Sequence, residues 1–119
     1  MDEISPETVA ELLADGASPT VVDIRNPAAF QRGHIPGSLN VPFQQLPDRV
    51  AELADADHVV TVCPHGKSSV QAAKLIESYE GTADATVESM AGGLSAWEGP
   101  IEAGADDGRS EPDEGPAPF

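Results

Sequence analysis

The chain alternates between two hydrophobic periods, and each change of period marks an element. Val9, Leu12 and Leu13 form the i, i+3, i+4 stripe of an amphipathic helix. Ser5 supplies its N-cap and Pro6 suits the first helical position. Glu7 complements the dipole in the first turn, and Gly16 closes the helix. Thr20-Val21-Val22-Asp23-Ile24 reads as a short buried strand that delivers Asp23 and Arg25 to a loop. Asn26 and Pro27 predict a helical turn through Phe30, and the loop Gly33-His34-Ile35-Pro36-Gly37-Ser38 leads to a brief strand at 39–41. Residues 47–53 read as a helix with Leu46, Val50 and Leu53 on one face. His58-Val59-Val60-Thr61-Val62 is the second strong strand. A helix over 68–79 follows, with Val70, Ala73, Ile76 and Tyr79 inward and Gln71, Lys74 and Glu77 in water. A last strand at 85–88 precedes Gly92-Gly93-Leu94-Ser95-Ala96-Trp97, a glycine turn opening a short helix with Trp97 as a core aromatic.

Strands that alternate with helices predict an α/β fold, with a parallel sheet covered on both faces. Ligand sites in such folds lie beyond the C-terminal ends of the strands, where Asp23, Arg25 and Cys63 all fall. The 119 residues suit one domain. From Gly99 onward Pro, Gly, Asp and Glu dominate and apolar residues are scarce. The expected organisation is one domain over 1–98 and a disordered acidic tail over 99–119, unanchored rather than docked on a partner.

Charge narrows the partners. Twenty-one acidic residues against 6 Lys plus Arg give a net charge of −15, a field that repels nucleic acid and anionic membranes alike. With Lys67 and Lys74 the only lysines and the acids spread along the chain, the composition resembles that of proteins from halophilic archaea. It predicts folding that strengthens with salt as the repulsion is screened. The Met-Asp-Glu start lacks the features of a secretory leader and no apolar run reaches membrane-span length, so the expected location is cytoplasmic. A single cysteine permits neither an internal disulfide nor a C-x-x-C pair, and His34, His58 and His65 lack metal-ligand spacing. No metal site is expected.

The chemistry concentrates at residues 63–69, where a strand runs through a tight loop directly into a helix. Gly66 permits the turn, and the amides of residues 65–69 are placed to face inward with the helix N-terminus behind them. Such a cradle favours a thiolate over a thiol and lowers the pKa of Cys63. The hydroxyls of Ser68 and Ser69 add hydrogen bonds or cap the helix. Lys67 is the loop's one cation, placed to attract an anion, and His65 is a candidate proton donor or merely a packed loop residue. The bland alternative, a free cysteine packed as a small hydrophobe, accounts for none of this loop.

With these residues in view, the chain resembles a single-domain rhodanese, a family of thiosulfate and persulfide sulfurtransferases. The resemblance rests on Asp23-Ile24-Arg25, on Phe30-x-x-Gly33-His34-Ile35-Pro36-Gly37-Ser38-Leu39-Asn40-Val41-Pro42, on the Cys63 loop and on Gly92-Gly93-Leu94-Ser95-Ala96-Trp97, in that order. It implies a rhodanese-like α/β fold, with a five-stranded parallel sheet flanked by helices on both faces. It further implies Cys63 as the catalytic sulfur carrier, His65, Gly66, Lys67, Ser68 and Ser69 as the substrate-binding loop, and Asp23 with Arg25 as a supporting ion pair. The implied reactants are a small anionic sulfur donor and a thiol or cyanide acceptor, with no cofactor. Many members carry arginine five residues after the cysteine, where this chain has Ser68; its loop is similar to that of small thiosulfate sulfurtransferases without it. Cysteine phosphatases and arsenate reductases share the fold but close a longer loop with an arginine at the position held here by Ser69. The other alternative is a relay or partner-binding module, with Cys63 loaded by a persulfide donor rather than by thiosulfate.

Overall fold

A computed structural model of the protein describes residues 2–17 and 19–104. The elements follow in the order β1 (Asp2–Ile4), α1 (Pro6–Ala14), β2 (Thr20–Asp23), α2 (Pro27–Arg32), β3 (Leu39–Asn40), α3 (Leu46–Arg49), β4 (His58–Val62), α4 (Ser68–Glu77) and β5 (Thr86–Met90). The strands form one sheet in the order β1-β5-β4-β2-β3, and every pairing is parallel. This is a rhodanese-like α/β fold.

The period-two alternation of the strands divides the core between the two faces of the sheet. Val22, Val59, Cys63 and Val87 pack with Leu46, Val50, Leu53, Ala72, Ala73 and Ile76 on the face covered by α3 and α4. Val21, Val60, Val62 and Met90 pack with Ile4, Val9, Ile35 and Trp97 on the face covered by α1. Thr61 and Ser89, neighbours on β4 and β5, therefore lie in phase with Val59, Cys63 and Val87, on the α4 side. Both are fully buried polar residues.

Helix α1 forms as expected, with the Ser5 hydroxyl accepting from the Thr8 amide at 3.1 Å. Asn26 caps α2 in the same way, through the Ala29 amide at 2.8 Å. The helix expected over 47–53 is a broken one: 3-10 turns at Phe43–Gln45 and Val50–Leu53 flank the four residues of α3. The winding still buries Leu46, Val50 and Leu53, the three residues assigned to its inner face.

Helix α4 is rotated from the expected stripe. Its buried residues are Ser69, Ala72, Ala73 and Ile76, while Val70 and Tyr79 are only half-buried. Hydrogen bonds between Ser69 and Cys63 anchor the first turn, so chemistry rather than side-chain size sets the rotation. Two alanines on the inner face let the helix lie close to the sheet. β1 went unread in the sequence because only Ile4 of its three residues is buried, too little for an alternation signal. β5 runs to Met90 rather than ending at residue 88, which brings Ser89 into the sheet.

Residues 99–104, expected to open the tail, lie against the domain. Glu102 exchanges backbone hydrogen bonds with His34 at 2.9 Å each, the Gly104 amide donates to the Gln31 carbonyl, and Trp97 Nε1 donates to the Pro100 carbonyl. The remainder of the expected tail, 105–119, lies outside the described residues. His34 serves architecture: it is buried, stacks on Phe30 at 3.7 Å between ring centroids, and contacts the Phe30 carbonyl through Nδ1.

Candidate active site

Cys63 follows directly on β4, at the C-terminal edge of the sheet where the strand order places a ligand site. The chain reverses at Gly66, whose φ of 84° is accessible at low cost only to glycine. The reversal turns the loop back over the sulfur. The Gly66 amide donates to Cys63 Sγ at 3.1 Å and the Ser69 amide at 3.3 Å, with the Ser69 hydroxyl a further 3.3 Å contact. The cradle is narrower than expected from the sequence, since neither the Lys67 nor the Ser68 amide is among the sulfur's partners. Cys63 itself is only 2% exposed.

Two opposing effects act on the thiol. Burial pushes its pKa up, while hydrogen bonds from the Ser69 hydroxyl and the Ser69, His65 and Gly66 amides together pull it down further. The net result lies below the ordinary value of 9.0. A depressed pKa in the folded state makes the thiolate a stabilising feature. Its contribution is fully present above the unfolded thiol's pKa and is lost as pH falls through the folded value. Alkylation by iodoacetamide, followed against pH, is expected to inflect at lower pH for native protein than for protein in denaturant. Coincident profiles would contradict this cradle.

The substrate-loop residues separate into two groups. Gly66 and Ser69 are buried and donate their amides to the sulfur. His65, Lys67 and Ser68 are exposed and form the outer rim with Pro64. Beneath the loop, Ser69 is gripped from both neighbouring strands: Thr61 Oγ1 donates to its carbonyl at 2.7 Å, and Ser89 Oγ lies 2.7 Å from its hydroxyl. Neither Thr61 nor Ser89 was singled out from the sequence. The signal for Thr61 was available, because alternation along β4 puts it on the same face as Cys63.

A second glycine turn locks the loop from the side. The Leu94 amide donates to the Cys63 carbonyl at 2.9 Å and the Ser95 amide to the Pro64 carbonyl at 3.0 Å. Gly92 and Gly93 both have positive φ, and Gly93 packs directly on the backbone of the cysteine loop. The quoted motif Gly92-Gly93-Leu94-Ser95 thus acts as a brace for the cysteine loop.

Asp23 and Arg25 form the expected pair. Arg25 Nε lies 3.0 Å from Oδ1 and its terminal nitrogen 2.8 Å from Oδ2, with a further bond to the Gly33 carbonyl at 2.7 Å. The pair ties the end of β2 to the turn after α2, and none of its hydrogen bonds reaches residues 63–69. Asn40 bridges the same corner by donating to the carbonyls of Asp23 and Arg25. No group of three or more His, Cys, Asp or Glu able to hold a metal occurs among the described residues. No helix among them is long and apolar enough to cross a membrane.

Comparison with known proteins agrees with this architecture. The family profile of the Rhodanese-like domain matches residues 5–100. A thiosulfate sulfurtransferase GlpE of Pseudomonas aeruginosa is 39% identical over 109 residues, covering 91% of this chain and 94% of the relative. A sulfurtransferase of Allochromatium vinosum is 36% identical over 98 residues, covering 82% of this chain and 88% of that protein. Among solved structures, a rhodanese-like domain protein from Staphylococcus aureus superposes with a TM-score of 0.73 at 20% identity, covering 88% of this chain and all of that one. With the fold, the cysteine loop and these matches in agreement, the chain belongs to the rhodanese-like domain family.

Proposed function

We propose that the protein is a sulfurtransferase that carries sulfane sulfur on Cys63, with thiosulfate as its donor. The observation that carries this reading is the sulfur itself, held at a strand end by the amides of His65, Gly66 and Ser69 and by the Ser69 hydroxyl, which together stabilise its anion. The names of the Pseudomonas and Allochromatium relatives point to the same activity, and the first names thiosulfate as well.

The Cys63 thiolate attacks the outer sulfur of thiosulfate. A sulfur–sulfur bond forms to Sγ, the bond to the sulfonate breaks, and sulfite leaves with the electron pair. Negative charge passes to the outer sulfur of the new persulfide. The Lys67 and Ser68 amides at the start of α4, not engaged with Sγ, are the groups nearest in sequence to receive it. Cyanide or a thiolate acceptor then attacks that outer sulfur and releases the Cys63 thiolate. With no second cysteine in the chain, discharge must be to another molecule. Lys67 and His65 on the rim serve an anionic donor in a chain of strongly negative charge.

Phosphate chemistry is disfavoured by the same residues. Ser69 stands where the phosphatase loop needs a guanidinium, and Arg25 is committed to Asp23 and Gly33. A persulfide relay would use the same cradle with a protein donor in place of thiosulfate.

Intact-mass measurement after thiosulfate treatment tests the reading. It is expected to show a gain of about 32 Da that a thiol removes. A chain that gains no sulfur from thiosulfate but does so from a persulfide donor would make it a relay; one that gains none from either overturns the reading.

The halophilic setting and a cytoplasmic location belong to the same proposal, the first resting on the −15 net charge and the second on the lack of any apolar run of membrane-span length in the sequence. The denaturation midpoint is expected to rise from dilute buffer to molar salt. A midpoint that stays level or falls would remove the halophilic part.

A further inference from the structure

We infer that Ser89 is a positioning residue for Cys63: its hydroxyl holds that of Ser69, and their shared hydrogen bond reverses direction when the sulfur becomes an anion. The inference rests on Cys63 working as a thiolate, whatever its sulfur donor.

Ser69 Oγ stands between two partners, Cys63 Sγ at 3.3 Å and Ser89 Oγ at 2.7 Å. Both serines are 0% exposed, so bulk water does not complete their hydrogen bonds. A serine hydroxyl has a single proton, and the state of Cys63 decides where it points. With a neutral thiol, S–H donates to Ser69 Oγ, and Ser69 donates onward to Ser89. When the thiol proton leaves to solvent, Sγ can only accept. Ser69 then turns its proton to the sulfur, and Ser89 turns its own to the Ser69 oxygen. Both changes are rotations about Cβ–Oγ bonds, and no O–H bond breaks.

The thiolate is thus met by a chain of two hydroxyls, Ser89 to Ser69 to Sγ, in which the outer donor strengthens the inner one. The inner carbonyl of Ser69 is meanwhile fixed by Thr61 at 2.7 Å, so the serine cannot drift away from either partner. Ser89 is held by the sheet itself, opposite Thr61 in the β4–β5 register. Rigid strands, not the loop, therefore set the aim of the donor. A buried hydroxyl at a strand position whose in-phase neighbour is Val87 also explains why a polar residue occupies that site. Once the persulfide forms, Sγ is a neutral bonded sulfur and a weaker acceptor, and the pair is free to turn back.

The test is titration of the Cys63 thiolate by its ultraviolet absorbance in the full chain, in molar salt. Ser69→Ala is expected to raise the thiol pKa. Ser89→Ala is expected to raise it less, lowering the acid dissociation constant about threefold, the scale of one modest hydrogen bond. Because Ser89 acts through Ser69, the double variant is expected to titrate like Ser69→Ala alone. Ser89→Thr and Ser89→Val, near-identical in shape, provide a second comparison. Threonine is expected to keep the parent pKa and valine to raise it. An unchanged pKa in Ser89→Ala, equal values for threonine and valine, or additive shifts in the double variant would overturn the role of Ser89. Persulfide mass is read separately on the parent chain. Its failure to load would count against the sulfurtransferase reading and leave the titration result standing.

Discussion

Replacing Cys63 by alanine is expected to eliminate the persulfide mass gain and to lower thiosulfate turnover by at least ~10³-fold, about 4 kcal/mol of transition-state stabilisation. The magnitude follows from the absence of any substitute. The chain has no other cysteine, and no other side chain in the loop is a sulfur nucleophile. Alanine also leaves the buried Gly66 and Ser69 amides without their acceptor, so an accompanying loss of stability must be separated from the loss of chemistry. Cys63→Ser makes that separation, because it retains an acceptor atom but cannot form a persulfide. The serine variant is expected to fold and remain inactive. Full turnover in either variant would remove Cys63 from the mechanism.

The second large effect is expected from a residue that carries no chemistry. In Gly93→Ala the new Cβ would overlap the Cys63 carbonyl oxygen and lie 2.6 Å from both the Gly66 nitrogen and the Pro64 carbonyl carbon. All three are backbone atoms of the sulfur-bearing loop, so none can swing aside as a side chain would. The φ of 63° adds left-handed strain. The expected destabilisation is about 3–5 kcal/mol, with the thiol pKa rising in whatever fraction folds, because the loop must move off its brace. Gly37→Ala is the matched control. It has a similar φ of 82° but nothing within 4 Å of its Cβ, so only the strain of about 1 kcal/mol remains. Denaturation midpoints compare the two. Equal losses would show that the contact between the glycine turn and the cysteine loop is unimportant.

Much of this architecture was legible because the relevant signals are local. Caps at Ser5 and Asn26, the β-branched runs of β2 and β4, and the strand–loop–helix passage at Cys63 are each contained within a few residues. The parallel five-stranded sheet was implied by resemblance, and the structure has it, but β1 itself was invisible. Its two acidic residues face outward, and its place is decided by β5, far away in sequence. The rotation of α4 was missed for a similar reason. Apolar periodicity favoured Val70, whereas hydrogen bonds to the sulfur bring Ser69 inward. The resemblance implies substrate binding for both Ser68 and Ser69, and the structure separates the two by burial. One is fully buried beneath Cys63 and the other is exposed. Adjacent identical residues cannot be distinguished by composition, only by the helix phase that the tertiary contacts select. Alternation along β4 puts Thr61 on the face of Cys63, but Ser89 has no such local signal, since its partner Ser69 lies on a helix distant in sequence.

The groups that hold the Cys63 sulfur are the backbone amides of residues 65, 66 and 69 and one buried hydroxyl, while the side chains at 64, 65, 67 and 68 all face outward. If Cys63 carries sulfur as proposed, reactivity and selectivity would be encoded in different parts of the same seven residues. Mutations at the four outward positions sample new donors and acceptors while the nucleophile stays intact, provided Gly66 keeps the turn. On the proposed function, a lineage or a directed-evolution library would exchange its sulfur donors and acceptors through four side chains without having to reinvent the thiolate.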